Sequence, residues 1–484
     1  MMVSKRVKKV LIIACSVLLA LCLFALIFQA YFNPSHVSEW YRQWPEWELN
    51  SKTEKLMVSL KDDNALKYYL RAALVFVDLP YDKELRDSHF EVDENGWEKD
   101  HPKLRLYIQQ NEPAFALIRV GTEQPYCAIT EEQRDQYGNC FIPKLRDIGR
   151  LMMMKAAMHE AYGKHDEFKE TSFDLLRFGM HVSDLGWLVY YEFAGRTIEG
   201  FAYYSIVSYL QGVDDEARCS EYLNELVRLN TDRASPPYDM LQATFTRDEK
   251  LFPRFGTAVL YRGTSILNLG YISREARDSI PKNERADFGD AWLEPDFFER
   301  LIEPFDRAGG YLWFKLVEKR RLQQMEEVHH TILEASKSSY MDIFRTLEQM
   351  KIPRGKITQR WYKPTYKSLV SLAEGEVFRR ASITGVALRL YFLKHGEYPE
   401  RLEELTTLVP EMFLIDPFSD KPFVYIRTAE AYQFHSFGPD LDDDVGKQEV
   451  EIPSYSGSDE DCDFVFGTSG TFNRAKPEKW RVKK

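Results

Sequence analysis

The chain has 484 residues, 44% hydrophobic and 14% aromatic, with 64 Lys plus Arg against 75 Asp plus Glu, a net charge of -11. That length exceeds one small core and implies two or three domains. The acidic balance excludes a phosphate-neutralising surface, so no nucleic-acid partner is expected and the excess charge reads as a solvated surface.

Lys5, Arg6, Lys8 and Lys9 precede an uncharged run from Val10 to Phe28, and polar residues return at Gln29 and Asn33. About 20 apolar residues span a bilayer as a helix, and basic residues before the run keep that side in the cytoplasm. The expectation is a single span, with residues 1–33 forming the basic flank and anchor and residues 10–32 in contact with lipid. The bulk of the chain is then extracytoplasmic, on a bacterial-type inner membrane. A cleaved signal peptide would need a shorter apolar region and small residues at its cleavage site, where Phe28-Gln29-Ala30 offers a bulky one. A lipidated Cys15 or Cys22 is the other rival: Ile12-Ile13-Ala14 suits Cys15 locally, but the apolar run continues past it. Beyond the anchor, Trp40, Tyr41, Trp44 and Trp47 read either as an interfacial foot on the bilayer or as aromatic core.

Residues 34–352 are expected to be helical. Asp63-Asn64 caps a helix with Ala65, Tyr69, Ala72 and Val75 on one face. Leu145, Ile148, Met152 and Ala156 mark a helix that stops at Gly163, with Lys164 and His165 in the turn. Phe168, Ser172, Leu175, Gly179 and Val182 mark the next, and the short link predicts an antiparallel hairpin. A second pair runs through Trp187 to Leu210, breaks at Gly212, is capped at Asp214 or Asp215, and continues from Ala217 to Leu229. Such hairpins resemble tetratricopeptide-type arrays, although no strict 34-residue period aligns; an irregular bundle is the alternative. Pro236-Pro237 marks a loop, residues 252–295 are less periodic, and helices follow from Tyr311 to Ser336 and from Met341 to Met350. Pro353, Gly355 and Pro364 read as a boundary.

Cys15 and Cys22 lie in the apolar run, and Cys219 and Cys462 read as isolated buried thiols. Cys127 and Cys140 flank a polar loop, CAITEEQRDQYGNC. In an oxidising compartment they read as a disulfide worth about 2–4 kcal/mol.

Catalytic patterns are not found. His159-Glu160 with His165 lacks the i, i+4 spacing of a zincin helix, and Gly163 intervenes, so the histidines read as solvent-facing. His329 and His330 are adjacent and point about 100° apart on a helix. No nucleophile elbow, P-loop or dinucleotide fingerprint occurs. An acidic segment stands apart: Asp440, Asp442, Asp443 and Asp444, then Asp461 and Asp463. Such crowding repels unless a cation joins it, and calcium takes six to eight oxygen ligands. An EF-hand would use Asp440, Asp442, Asp444 and Glu451, but Val445 stands where that loop needs Gly.

A helix from about Tyr366 to His395 closes at Gly396. Short β-prone pieces follow at Phe423-Val424-Tyr425-Ile426, Tyr432-Gln433-Phe434 and Phe464-Val465-Phe466. Within this stretch, Leu388-Arg389-Leu390-Tyr391 precedes Gly396, Tyr398 and Pro399. Asp416-Pro417-Phe418 comes next with Lys421-Pro422-Phe423, then Ser436-Phe437-Gly438-Pro439-Asp440, and lastly Asp461-Cys462-Asp463. In order and spacing this resembles the C-terminal domain of major type II secretion pseudopilins, over roughly Ala381 to Phe466. The resemblance implies a small α+β module at residues 366–466 with a calcium loop. Charge crowding and the matched order make Asp440, Asp442, Asp444 and Asp463 the expected ligands, with Asp443 and Asp461 as substitutes. The N-terminal helix lacks the early Glu of pseudopilins, and residues 34–365 intervene, so assembly into a pseudopilus is not implied. Residues 467–484 read as a disordered tail.

The expected architecture is therefore mainly α: an anchor, a helical-hairpin domain and a small α+β module. The expected role is a non-catalytic, membrane-anchored envelope protein whose helical domain binds a protein partner. The competing reading is an envelope hydrolase with its site in the helical domain, which would show convergent buried His, Asp or Glu in a concave pocket.

Overall fold

The computed structural model describes residues 46–80, 82–130, 132–133, 141–185, 189–233, 319–350, 356–427, 431–438 and 464–467. The expected anchor, Trp40, Trp44, the 234–318 stretch, Pro353, Gly355 and the tail beyond Gly467 lie outside them. Among the described residues no helix is long and apolar enough to cross a membrane. The fold is mostly helical, with a small antiparallel β region near the C-terminus. Two compact units are formed, one by residues 46–244, 330–351 and 363–484 and the other by residues 1–45, 245–329 and 352–362. The second is described only over 319–329 and 356–362.

The first unit begins with α1 (Glu46–Ser59), α2 (Ala65–Val75), α3 (Lys83–Asn95), α4 (Pro102–Gln110) and α5 (Glu112–Thr122). Asn64 caps α2 as expected: its Oδ1 accepts from the Leu66 amide at 3.0 Å. The same side chain donates to the Ala128 carbonyl at 2.8 Å, so the cap also fixes the 126–129 segment. Ala65, Tyr69 and Ala72 are buried, but Val75 at the end of the expected face is exposed. There the chain leaves the helix for an extended segment.

Two hairpins follow. α6 (Ile142–Ala161) ends at Gly163, whose φ of 67° favours glycine, and α7 begins at His165 and runs to Ser183. α8 (Val189–Gln211) is followed by α9 (Glu216–Asn230), and Asp215 supplies the cap by accepting from the Arg218 amide at 3.1 Å. Lys169 pairs with Glu221 and Arg177 with Glu225, so α7 and α9 run in the same direction. Close approach of α7 and α8 depends on two glycines. A Cβ on Gly179 would lie 2.6 Å from the Glu199 amide nitrogen, and one on Gly195 would lie 2.3 Å from that of Ser183.

Two further helices are α10 (Lys319–Ala335) and α11 (Tyr340–Gln349), the latter capped by Ser339. α12 (Lys356–His395) starts earlier than the pattern suggests and runs through Pro364. A mid-helix proline costs about 3 kcal/mol, and burial of the long face from Leu369 to Leu390 opposes that cost. Gly396, at φ 79°, ends it.

Strands β1 (Ile415–Asp416) and β2 (Lys421–Pro422) make a short hairpin. β3 (Val424–Arg427), β4 (Tyr432–Ser436) and β5 (Phe464–Gly467) form an antiparallel sheet in that order. Phe434 stacks on its cross-strand partner Phe466 at 5.2 Å and meets Phe423 edge-on at 5.5 Å, which sets the β-module's core. In the β4–β5 register Ser436 faces Phe464.

Candidate functional site

The most concentrated polar chemistry among the described residues is a buried ionic network where α8, α9 and α12 meet. Its centre is Glu376 on α12, 2% exposed. Arg379, one turn on, donates to both carboxylate oxygens at 2.9 and 2.5 Å, and Arg380 donates from Nε at 2.7 Å. Arg196 of α8 stands 3.9 Å away. Burial works to raise the Glu376 carboxyl, and the guanidinium groups of Arg379, Arg380 and Arg196 overcome it, holding the group well below the usual carboxylate range. Gly375 makes room for this arrangement, since a Cβ there would sit 2.7 Å from Arg196 Cδ.

From this centre the network runs outward. Arg379 Nη1 donates to the Asn230 carbonyl at 3.2 Å and Nη2 to that of Arg233 at 3.1 Å, fastening α12 to the end of α9. Arg380 Nη1 donates to the Ile415 carbonyl at 2.9 Å, reaching the first β-strand. Arg196 donates to Glu192 at 2.6 Å, and Arg233 to Glu199 and Asp184, each at 3.1 Å. Ser183 Oγ donates to the same Glu199 oxygen at 2.8 Å. Tyr340 of α11 is buried beside these charges and burial pushes its hydroxyl up; it has no hydrogen-bond partner. In this network Glu192, Glu199 and Glu376 are thus each held by a guanidinium. Such a network fixes helix register, because removing one member strands the others without water.

A second cluster clamps the β-module. Asp416, fully buried, accepts from the Phe418 amide at 3.1 Å, Ser419 Oγ at 2.8 Å, Ser436 Oγ at 2.6 Å and the Phe437 amide at 3.2 Å. Burial raises its pKa and those four donors oppose the rise. The clamp joins the DPFS turn to the end of β4, where residues 439–463 begin. Arg389 supplies a third tie, donating to Asp214 at 2.7 Å and to the Val213 carbonyl at 2.9 Å. Of the two expected caps, Asp215 is the one that caps α9, and Asp214 pairs with Arg389 instead.

The expected calcium ligands Asp440, Asp442, Asp444 and Asp463 lie outside the described residues. Among the described residues no group of three or more His, Cys, Asp or Glu is placed to hold a metal ion. Cys127 is buried, and burial pushes its thiol up; its expected partner Cys140 lies outside the described residues. Cys219 is a buried thiol pushed up to about 12. The expectation that His159 faces solvent is corrected, because its ring is buried in the last turn of α6. His165 opens α7 with Nδ1 3.0 Å from the Tyr209 hydroxyl. His329 is buried and His330 exposed, as the helical offset requires.

An open groove of about 630 Å³ lies between α7 and α9, floored by Phe173 with Arg177, Asn224 and Arg228 on its walls. The Lys169–Glu221 and Arg177–Glu225 pairs bridge it, so its charges are largely neutralised internally.

Sequence reasoning missed the buried network. The signal was present as Glu376-x-x-Arg379-Arg380, charges at i, i+3 and i+4 within a helix apolar on several sides. No family model, no curated protein and no solved structure matches the chain.

Proposed function

We propose that the chain is a single-span envelope protein, anchored through residues 10–32, whose helical hairpins bind a protein partner and whose C-terminal module is a pseudopilin-like fold stabilised by calcium. The observation that carries the reading is the β4–β5 pairing. The Ser436–Phe464 register holds the two ends of the 439–463 segment side by side. That segment carries Asp440, Asp442, Asp444 and Asp463, and Asp416 ties its mouth to the preceding turn. The long helix closing at Gly396 before a small antiparallel sheet accords with the pseudopilin likeness. For the hairpins, the shared direction of α7 and α9 with α8 between them accords with a tetratricopeptide-like stack, which presents extended surfaces to protein partners.

The physical role of calcium is to offset carboxylate repulsion, so stability rises with free ion by mass action. The test is thermal melting of the full chain in chelator and in calcium at about a hundredfold its Kd, where a gain of about 2.7 kcal/mol is expected. A melting temperature identical in both removes calcium from the proposal. Replacing Asp440, Asp442 and Asp444 together by Asn should abolish the gain.

A further inference from the structure

We propose that Tyr69 and His181 form a proton-sensitive latch that holds α2 on α7 while His181 is neutral and loosens it when His181 is protonated. Tyr69 is fully buried, and its hydroxyl lies 2.7 Å from His181 Nδ1. Phe178 meets the Tyr69 ring edge-on at 4.7 Å. On the other side the ring fills the notch at Gly121, where a Cβ would reach Tyr69 Cε1 at 2.3 Å. The ring therefore has no room to swing its hydroxyl toward another acceptor.

A tyrosine hydroxyl donates to Nδ1 only when that nitrogen carries no proton, which places the neutral ring's proton on Nε2. Protonation makes Nδ1 a donor. The hydroxyl must then accept, and its own buried proton is left without an acceptor among the described residues, which is the costly state for a buried polar group.

The surrounding charges do not favour the imidazolium. On its own helix and just beyond its end, His181 sees Arg177 and Asp184; the 3-10 turn at 231–233 contributes Arg233. Among the described residues Asp184 is the one acid acting on the ring, and it is already engaged by Arg233 Nη2 at 3.1 Å. On the Tyr69 side stand Cys127, kept neutral by burial, and Asp174, which Arg119 engages at 2.9 Å. Burial, with Arg233 and Arg177, holds His181 below its ordinary range against the pull of Asp184. The latch is thus wired to the ionic network through Arg233, which also serves Glu199.

Hydrogen exchange of the full chain, followed by mass spectrometry at about pH 7.5 and about pH 5 and corrected for intrinsic rates, tests the proposal. Amides of residues 65–75 should open at least about threefold more readily at the lower pH, beyond the intrinsic-rate correction. Amides of residues 216–230 serve as the internal reference. Tyr69→Phe keeps the ring contacts and removes only the hydroxyl, and should remove most of the pH-dependent part. His181→Gln keeps a neutral polar side chain and should remove the pH dependence. Equal opening of residues 65–75 at both pH values, or wild-type pH dependence in either variant, overturns the latch. Should Tyr69→Phe fail to fold, the His181→Gln comparison decides alone.

Discussion

Glu376 and Arg379 face each other across one helical turn as a two-pronged pair, at 2.5 and 2.9 Å, with both side chains almost wholly removed from water. Breaking a buried pair on one side costs about 3–5 kcal/mol. Glu376→Gln should therefore lower the unfolding free energy by that amount, measured by denaturant titration. A loss below about 1 kcal/mol would place the pair in the range of exposed ion pairs.

The same group sets an acid limb. Its folded-state pKa lies below the unfolded value, so its stabilisation is full above the unfolded pKa and is lost as pH falls toward the folded one. Melting temperature should fall with acidification below about pH 4.5, the unfolded Glu range. Glu376→Gln should flatten that limb.

His329 acts in a different window. Burial lowers its pKa to about 4. Above about pH 6.5 neither state is protonated and the residue contributes no pH dependence. Below that, the unfolded chain takes up the proton first, and stability declines until about pH 4, by about 3 kcal/mol in all. His329→Leu should remove the decline between those values, as read from melts at half-unit steps of pH (about six points across the window).

Gly195 should tolerate no side chain. A Cβ there meets backbone at 2.3 Å on Ser183 and 2.6 Å on Gly179, so α7 and α8 would have to separate. Overpacking of this kind costs about 1–3 kcal/mol or more. Gly212→Ala is the control, because its nearest neighbour would be 3.7 Å away, ordinary contact. Equal melting temperatures for the two variants would refute the close-approach argument.

Topology and redox state make a joined prediction. A reporter active only outside the cytoplasm, fused after Lys484, should be active, and non-reducing peptide mapping should find Cys127 linked to Cys140. Activity of a cytoplasmic reporter alone would reverse the orientation. Free thiols at both positions in freshly purified protein would remove the bridge.

The helices were legible where capping and periodicity coincided. Asn64, Gly163, Asp215 and Gly396 each carry a local reason to start or stop a helix, and each does so. The β pieces were legible because Phe423, Phe434 and Phe466 recur between turn residues. Glu376, Arg379, Arg380 and Arg196 were not, because charge on a helix normally signals solvent. Only tertiary placement decides that α8, α9 and α12 bury these charges against one another. Asp416 stands in the sequence only as part of the pseudopilin-like order, and its bonds to Ser436 and Phe437, distant in sequence, follow from strand register.

The pairing of Ser436 with Phe464 carries a consequence for how the chain can change. Because both ends of the 439–463 segment are fixed by the sheet, the cost of closing it grows only with the logarithm of its length, about 0.6 kcal/mol per doubling. Residues can be inserted or deleted between Asp444 and Asp461 while the β-module's aromatic core, set by Phe423, Phe434 and Phe466, stays in register. The stretch between Asp444 and Asp461, which holds none of the four proposed calcium ligands, is thus the place to graft a tag, and its length can drift between variants of this protein while the fold around it is kept.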